Sequence, residues 1–288
     1  MKKGLYKNMN GEFKYSVLMP VYIKDNPEWL KIALDGMMAQ TLPPSEFVIV
    51  KDGKITEELN KVLNEYKQKH PVLFKIMGFD ENRGVGLASK FGVENCSYDY
   101  IARMDADDYC IPERIEKQYE AFGKNEKLGA VGCLVDEFTD SPENVISRVM
   151  LPLKHEDIVR FAKKRCPIRH SALLMKKEAL VNSGNYSDIR IGEDYDVAVK
   201  LIMHGFEICN IPEVYVYMRI NPDFFKRRGG IKFLKSIYRL KKNFRKIGFY
   251  SRFDFMRSFV PHAAVCLMPN FLRDFIYRKF LRKNYKKD

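Results

Sequence analysis

Tyr98-Asp99-Tyr100-Ile101-Ala102-Arg103-Met104-Asp105-Ala106-Asp107-Asp108 reads as a strand that runs straight into three carboxylates. Ile111-Pro112-Glu113-Arg114-Ile115, with proline near a first turn, then opens a helix. The acidic cluster therefore falls just past the carboxyl end of a strand, where open α/β sheets bind their ligands. Three carboxylates within four residues repel one another, and a divalent cation is the commonest reason to hold them together. Hard oxygen ligands suit Mg²⁺ or Mn²⁺. A solvated acidic turn after a strand is the plain alternative. An EF-hand loop also begins D-x-D, but Tyr109 and Cys110 stand where the next oxygen ligand and the turn glycine belong.

Outward from this point the chain alternates strands with helices. Ser16-Val17-Leu18-Met19-Pro20-Val21-Tyr22 is a short apolar run consistent with a buried parallel strand. Trp29, Ile32, Ala33, Met37 and Met38 then repeat at helical spacing from Pro27 to Gln40. Phe47-Val48-Ile49-Val50 predicts a second strand, Glu57 to Lys69 a second helix, and Val72 to Met77 a third strand. Further strands are expected at Ala130 to Val135, Ser171 to Met175 and Val214 to Met218. This order predicts an α/β fold: a doubly wound, mostly parallel sheet with right-handed crossovers.

The chain of 288 residues is long enough for one large α/β domain and an appendage, and 46% apolar content provides ample core. Its charge is divided unevenly. The first 224 residues carry 31 Lys and Arg against 34 Asp and Glu; from Phe225 onward the balance is 19 against 3. Two different surfaces are expected. The six cysteines are scattered without a C-x-x-C pair, consistent with reduced thiols in a cytoplasmic protein. No leader-like apolar segment follows Met1-Lys2-Lys3-Gly4, and no run approaches the roughly 18 apolar residues of a membrane span.

Three further motifs bear on chemistry. Asp52, closing the second strand before a permissive Gly53, is placed to accept a hydrogen bond from a pyrimidine N–H, or is simply a D-G turn residue. Asn82-Arg83-Gly84-Val85-Gly86 brings backbone N–H groups and a guanidinium toward phosphates at a helix start, or serves as a plain loop and cap. It lacks the third glycine of a dinucleotide fingerprint. Gly192-Glu193-Asp194-Tyr195-Asp196 crowds acids into the first turn of a helix. Such acids cap helices and complement the dipole. A carboxylate beside an open site is also the usual general base for a sugar hydroxyl.

Taken together, Ser16 to Tyr22, Val50 to Gly53, Asn82 to Gly86, Ala102 to Asp108, His170-Ser171-Ala172 and Gly192 to Asp196 occur in the order seen in family 2 glycosyltransferases. The resemblance covers about residues 14 to 220. Val21-Tyr22-Ile23-Lys24 with Asn26-Pro27 is similar to the capsule and exopolysaccharide branch that includes amylovoran transferases. It implies a GT-A catalytic domain over 1–220, with a nucleotide-sugar half at about 14–108 and an acceptor half at about 109–220. It further implies a UDP-sugar donor, Mn²⁺ or Mg²⁺, and a lipid-linked or oligosaccharide acceptor. By position, Asp52 matches the uracil-contacting aspartate, and Pro20 and Tyr22 match positions around the uridine. Asp105 and Asp107 match the metal-binding D-x-D, with Arg83 near the phosphates. Asp194 matches the catalytic base, and Glu193 orients the acceptor. Two departures stand out. Ser89-Lys90 replaces an Arg-Asn pair common in the family, and Arg169-His170 replaces a proline-histidine run; His170 is expected to be structural or in the acceptor pocket. The implied reaction is a single inverting displacement.

Beyond about residue 221 the pattern changes. Ile231, Leu234, Ile237, Leu240, Phe244 and Ile247 recur every three or four residues with Lys and Arg between them, and Phe271 to Leu281 forms a second such stretch. A basic amphipathic extension over 221–288 suits the anionic inner leaflet of a membrane, which makes a peripheral position on the inner face of the cytoplasmic membrane the expectation. Packing on the catalytic domain is the structural alternative, and nucleic acid is not the expected partner. Arg219, Arg227 and Arg228 are near enough to the last strand to reach a donor diphosphate. Two rival functions explain less. A haloacid-dehalogenase-like phosphatase carries its D-x-D near the chain start with Thr or Val after it, whereas Asp108 follows here. A non-catalytic basic nucleic-acid-binding protein accounts for the extension alone.

Overall fold

The computed structural model describes residues 7–8, 11–220, 228–269, 272 and 283–284. Four parallel strands form its first half: β1 (Tyr15–Val21), β2 (Glu46–Lys51), β3 (Phe74–Gly78) and β4 (Tyr100–Arg103), in the spatial order β3-β2-β1-β4. The crossovers are α1 (Pro27–Met38), α2 (Glu57–Lys69) and α3 (Val85–Asn95). Helices α1 and α2 start at the caps that their sequence provides. Asn26 accepts the N–H groups of Glu28 and Trp29 with Pro27 at the first position, and Thr56 caps Leu59.

The strands are apolar on both sides because helices cover both faces. Val17, Met19 and Ile49 point into one core with Leu34 and Met37, while Leu18, Val48 and Val50 point into the other with Ala88 and Val93. Gly92 lets α3 lie close on the sheet: a methyl group there would collide with Leu18 Cδ1.

The second half makes the sheet mixed. After β5 (Tyr109–Cys110) and α4 (Arg114–Phe122) comes the long β6 (Leu128–Phe138), which pairs with β7 (Val145–Val149). Helix α5 (His155–Ala162) and a single 3₁₀ turn, His170–Ala172, lead to β8 (Leu174–Lys176), which lies antiparallel between β4 and β6. Then follow α6 (Lys177–Asn182), α7 (Glu193–Met203) and β9 (Glu207–Arg219), which runs parallel to β6 with bulges and antiparallel to β5. The strand expected at Ser171 to Met175 is displaced: Ser171 sits in the 3₁₀ turn, and pairing begins at Leu174. Lys283–Asn284 adds a short edge to β7.

Two helices of the basic extension, α8 (Gly230–Lys246) and α9 (Arg252–Leu267), pack against the α/β body. Leu240, Phe244, Phe249 and Tyr250 share a buried cluster with Ala162, Tyr195 and Val199. The stretch Phe271 to Leu281, the linker at Asn221-Pro222, and Arg227 lie outside the described residues, Leu272 excepted.

Candidate active site

Strand β1 has β2 on one side and β4 on the other, so the crossovers leave it in opposite directions. The carboxyl end of such a strand is the natural crevice of an open sheet. Its residues are Pro20 and Tyr22, both half-buried, followed by a tight turn in which Asp25 accepts the Tyr22 N–H at 2.9 Å. Asp52 follows β2 directly, its N–H bound to Val21 O at 2.8 Å. Asp105 and Asp107 follow β4, where Met104 N–H still reaches Leu18 O at 3.1 Å. The candidate residues from three separate segments thus meet at one edge.

Beneath them, β4 is held by buried polar side chains. Arg114, on α4, donates to Arg103 O at 2.8 Å and to Leu173 O at 3.2 Å, and its Nε to Gln118 at 3.1 Å. Gln118 in turn reaches Val131 O and Ala172 O. Arg103 is buried and pairs with Asp105 at 2.6 Å, so one carboxylate of the D-x-D is oriented from below. Asp108, fully buried, accepts the Arg219 N–H at 3.0 Å and the Ser171 hydroxyl, and burial raises its carboxyl well above the ordinary range, with Asp107 and Asp105 adding to the effect. Arg219 itself is committed elsewhere. Its guanidinium donates to the carbonyls of Asp107, Thr139 and Asp140 and stacks on Trp29 and Phe138, so it braces the loop rather than reaching for phosphate.

Asp25, within the stretch Val21 to Pro27, belongs to this group as well. Burial pushes its carboxyl up to about 7, against the Tyr22 N–H bond, with the charges of Asp107 and Asp105 adding to the rise. Carboxylates crowded in this way fit a hard divalent cation by donor type. Among the described residues no three such side chains converge on one point. Two carboxylates, Asp105 and Asp107, could hold a cation of the kind that completes its shell with phosphate oxygens and water.

Asp52 performs a structural task that its sequence position only hinted at. Its carboxylate accepts Arg83 N–H at 2.7 Å, Gly84 N–H at 3.1 and 3.0 Å on its two oxygens, and the Asn82 amide at 2.8 Å. It clips the 82–86 loop to the end of β2. Gly53 is required by the same closeness: its φ is +88°, and a methyl group would come to 2.7 Å of Asn82 N. Arg83 lies exposed over the Phe79 ring at 4.7 Å.

The second acidic motif divides between two sides. Burial pushes Glu193 up to about 8, with Asp194 and Asp105 raising it further and Arg103 opposing. It therefore lies within the field of the D-x-D, 3.8 Å from His170 Nδ1. His170 is kept neutral by burial and by the Arg103 charge, and its Nε2 meets the Tyr186 hydroxyl at 2.6 Å. Asp194 instead lines a cavity against α8 and α9, where it accepts the Cys166 thiol at 3.4 Å. Asp196 is buried and pairs with Lys200 at 3.0 Å one helical turn on, a role within α7. All six cysteines are free, and the Cys166 contact had no signal in the spacing of the sequence.

Residues 16–181 match the family model described as Glycosyl transferase family 2. The UDP-Gal:alpha-D-GlcNAc-diphosphoundecaprenol beta-1,3-galactosyltransferase of Escherichia coli is 33% identical over 94% of this chain and 97% of its own length. The amylovoran biosynthesis glycosyltransferase AmsE of Erwinia amylovora is 32% identical over 92% and 98%. Among solved structures, the mannosyltransferase PcManGT of Pyrobaculum calidifontis, in complex with GDP-Man and Mn²⁺, superimposes with a TM-score of 0.64 at 16% identity. That match covers 90% of this chain and 71% of that one. The likeness is one of fold, the GT-A arrangement of strands and helices.

Proposed function

Because this chain belongs to glycosyl transferase family 2, we propose that it moves a hexose or N-acetylhexosamine from a UDP-sugar to a sugar hydroxyl, with inversion. The acceptor is a lipid-linked oligosaccharide in capsule, exopolysaccharide or O-antigen assembly. Residues 1–220 form the catalytic unit and 221–288 an extension that meets the membrane. The observation that carries this reading is the convergence of Asp105 and Asp107 at the switch-point strand end, with Glu193 close enough to feel the charge of Asp105.

Each residue then has a task. Pro20, Tyr22 and Asp52 border the base and ribose, Asp52 both as acceptor and as the clip of the 82–86 loop that carries Arg83. Asp107 and Asp105 hold the cation, Arg103 fixing the angle of Asp105. When bound, Mn²⁺ or Mg²⁺ supplies electrostatic stabilisation of the departing diphosphate. Asp194 takes the proton from the attacking hydroxyl. Burial raises the Glu193 carboxyl above the ordinary range, which suits it to orient the acceptor rather than to act as base.

The membrane part rests on the outer face of α9. Phe253, Met256, Val260 and Leu267 are 50–70% exposed at helical spacing, in a segment rich in Lys and Arg. Such a face dips into the interface while its cations meet anionic headgroups. Among the described residues no helix is long and apolar enough to cross a membrane.

A donor screen tests the whole reading. Metal-dependent release of UDP from one of a panel of UDP-sugars, lost in Asp107→Ala, is the expected result. Silence across UDP-, GDP- and dTDP-sugars, with no UDP binding by calorimetry, would overturn it. Flotation of the full chain with anionic liposomes at low salt tests the membrane part, and a chain left in the soluble fraction would remove it.

A further inference from the structure

The cavity on the far side of Asp194 has a volume of about 410 Å³, within the range of small-ligand sites. It is closed on one side by the catalytic body and on the other by α8 and α9. Its walls combine two chemistries. Leu151, Ile191, Phe233, Ile237 and Leu240 supply hydrocarbon; Arg165, Arg169, Arg228 and Lys241 supply positive charge. Asp194 is its one carboxylate.

Lys241 is the informative member. It is 1% exposed, yet no carboxylate within the described residues pairs with it. Its ammonium donates to Ser258 O at 2.6 Å and lies 3.3 Å from His262 Nδ1, which leaves one of three donors unassigned. Burial pulls it down to about 8, and His262 down to about 4. A buried cation without a counter-charge costs free energy, and an anion in the cavity would offset that cost.

We propose that this cavity is the acceptor site and receives a diphosphate ester carrying a hydrocarbon chain, with the diphosphate at Lys241 and Arg228 and its sugar directed to Asp194. The inference rests on the transferase reading and adds where the acceptor's anionic group sits and which residues of this chain hold it. The cavity holds a diphosphate and a sugar but not a long lipid, so the chain leaves along the exposed face of α9. The same helix pair then serves the membrane on one side and the acceptor on the other.

Calorimetric titration of the full chain, with UDP and Mg²⁺ saturating the nucleotide site, separates the possibilities. Farnesyl diphosphate, below its aggregation concentration, is expected to bind about tenfold or more tightly than inorganic diphosphate or farnesol. Lys241→Met should weaken it by about tenfold or more, the usual effect of losing a charged hydrogen-bond donor. Val265→Trp, which fills the cavity from α9 without changing charge, should weaken it as well and guards against misfolding of the first variant. Unchanged binding in both variants would overturn the proposal. So would equal competition by phosphatidylglycerol vesicles, which would mean a general headgroup site. UDP titration of the same samples reports on the transferase reading separately. UDP binding without farnesyl diphosphate binding sinks the cavity assignment alone, and the reverse sinks the donor assignment alone.

Discussion

The hydroxyls of Tyr195 and Tyr250 meet at 2.6 Å, and both reach the carbonyl of Ala162. Tyr195 stands one residue after the proposed base, and Tyr250 stands between the two helices of the basic extension. The extension is thus joined by buried hydrogen bonds to the helix that carries the proposed base, and it forms one wall of the cavity that Asp194 faces.

This joint should be measurable as stability. Phe244 is fully buried in the same cluster, edge-on to Tyr195 at 4.8 Å. Phe244→Ala is expected to cost about 3–5 kcal/mol by the usual cavity penalty. Tyr250→Phe, which removes one hydroxyl, should cost about 1 kcal/mol. Urea denaturation reads both, and a loss under about 0.5 kcal/mol for Phe244→Ala would mean that the extension does not share the core.

Gly192 tests the same contact from the catalytic side. Its φ is +84°, and a methyl group there would come to 2.6 Å of Leu240 Cδ2. Gly192→Ala should destabilise by about 1–3 kcal/mol and tilt the start of α7. The thermal midpoint and the transfer rate should fall together. A variant with unchanged stability would show that α8 can move aside.

Asp52→Asn replaces an acceptor-only group with one that presents an NH₂ toward the N–H groups of Arg83 and Gly84. The 82–86 loop should loosen at a cost of about 1–3 kcal/mol, and UDP affinity should fall with it. Calorimetry with UDP and a thermal melt check the two together. Full UDP affinity in a stable variant would mean that the clip contributes nothing to the nucleotide site.

For Asp194→Asn, the proposed base predicts retained UDP binding and a fall in turnover of about 10²–10⁴-fold. Transfer at the wild-type rate would remove the assignment and direct attention to Glu193.

The acid side of the stability profile has a named contributor. His262 is pushed down to about 4 by burial, then by the Lys241 and Arg228 charges, from an ordinary value near 6.5. Between those values the unfolded chain binds a proton that the native chain refuses. The stability contribution is therefore whole above about pH 6.5 and is lost as pH falls toward 4, by on the order of 3 kcal/mol at most. His262→Gln should flatten that part of the profile in urea denaturations at about pH 7.5 and about pH 5. An identical fall in wild type and variant would show that His262 is accessible to protons in the native state.

Much of this molecule was legible before any coordinates. Apolar runs such as Val17 to Val21 and Phe47 to Val50 are buried on both faces and therefore read as continuous hydrophobic strands. The caps at Asn26 and Thr56 are local, and so were the helix starts they mark. The short elements were not legible. Strand β7, with its exposed Ile146, and the six-residue α6 are held by pairing and packing with distant segments rather than by their own propensity. Cys166 was silent for a related reason: it meets Asp194 from 28 residues away in the chain, and no neighbour in sequence marks it.

Sequence alone determined the alternation of strands and helices in the first half of the chain, the family, and the identity of the acids at the strand ends, because those follow from short-range periodicity, motif order and the repulsion of adjacent charges. Tertiary structure decided the rest. It made Asp52 a clip, turned Arg219 inward to brace a loop, and brought Glu193 near Asp105 while Asp194 came to line the cavity beside α8 and α9. It also enclosed Lys241 between two helices facing Asp194. Those outcomes depend on which distant groups share a low-dielectric space, and a linear order of residues does not carry that information.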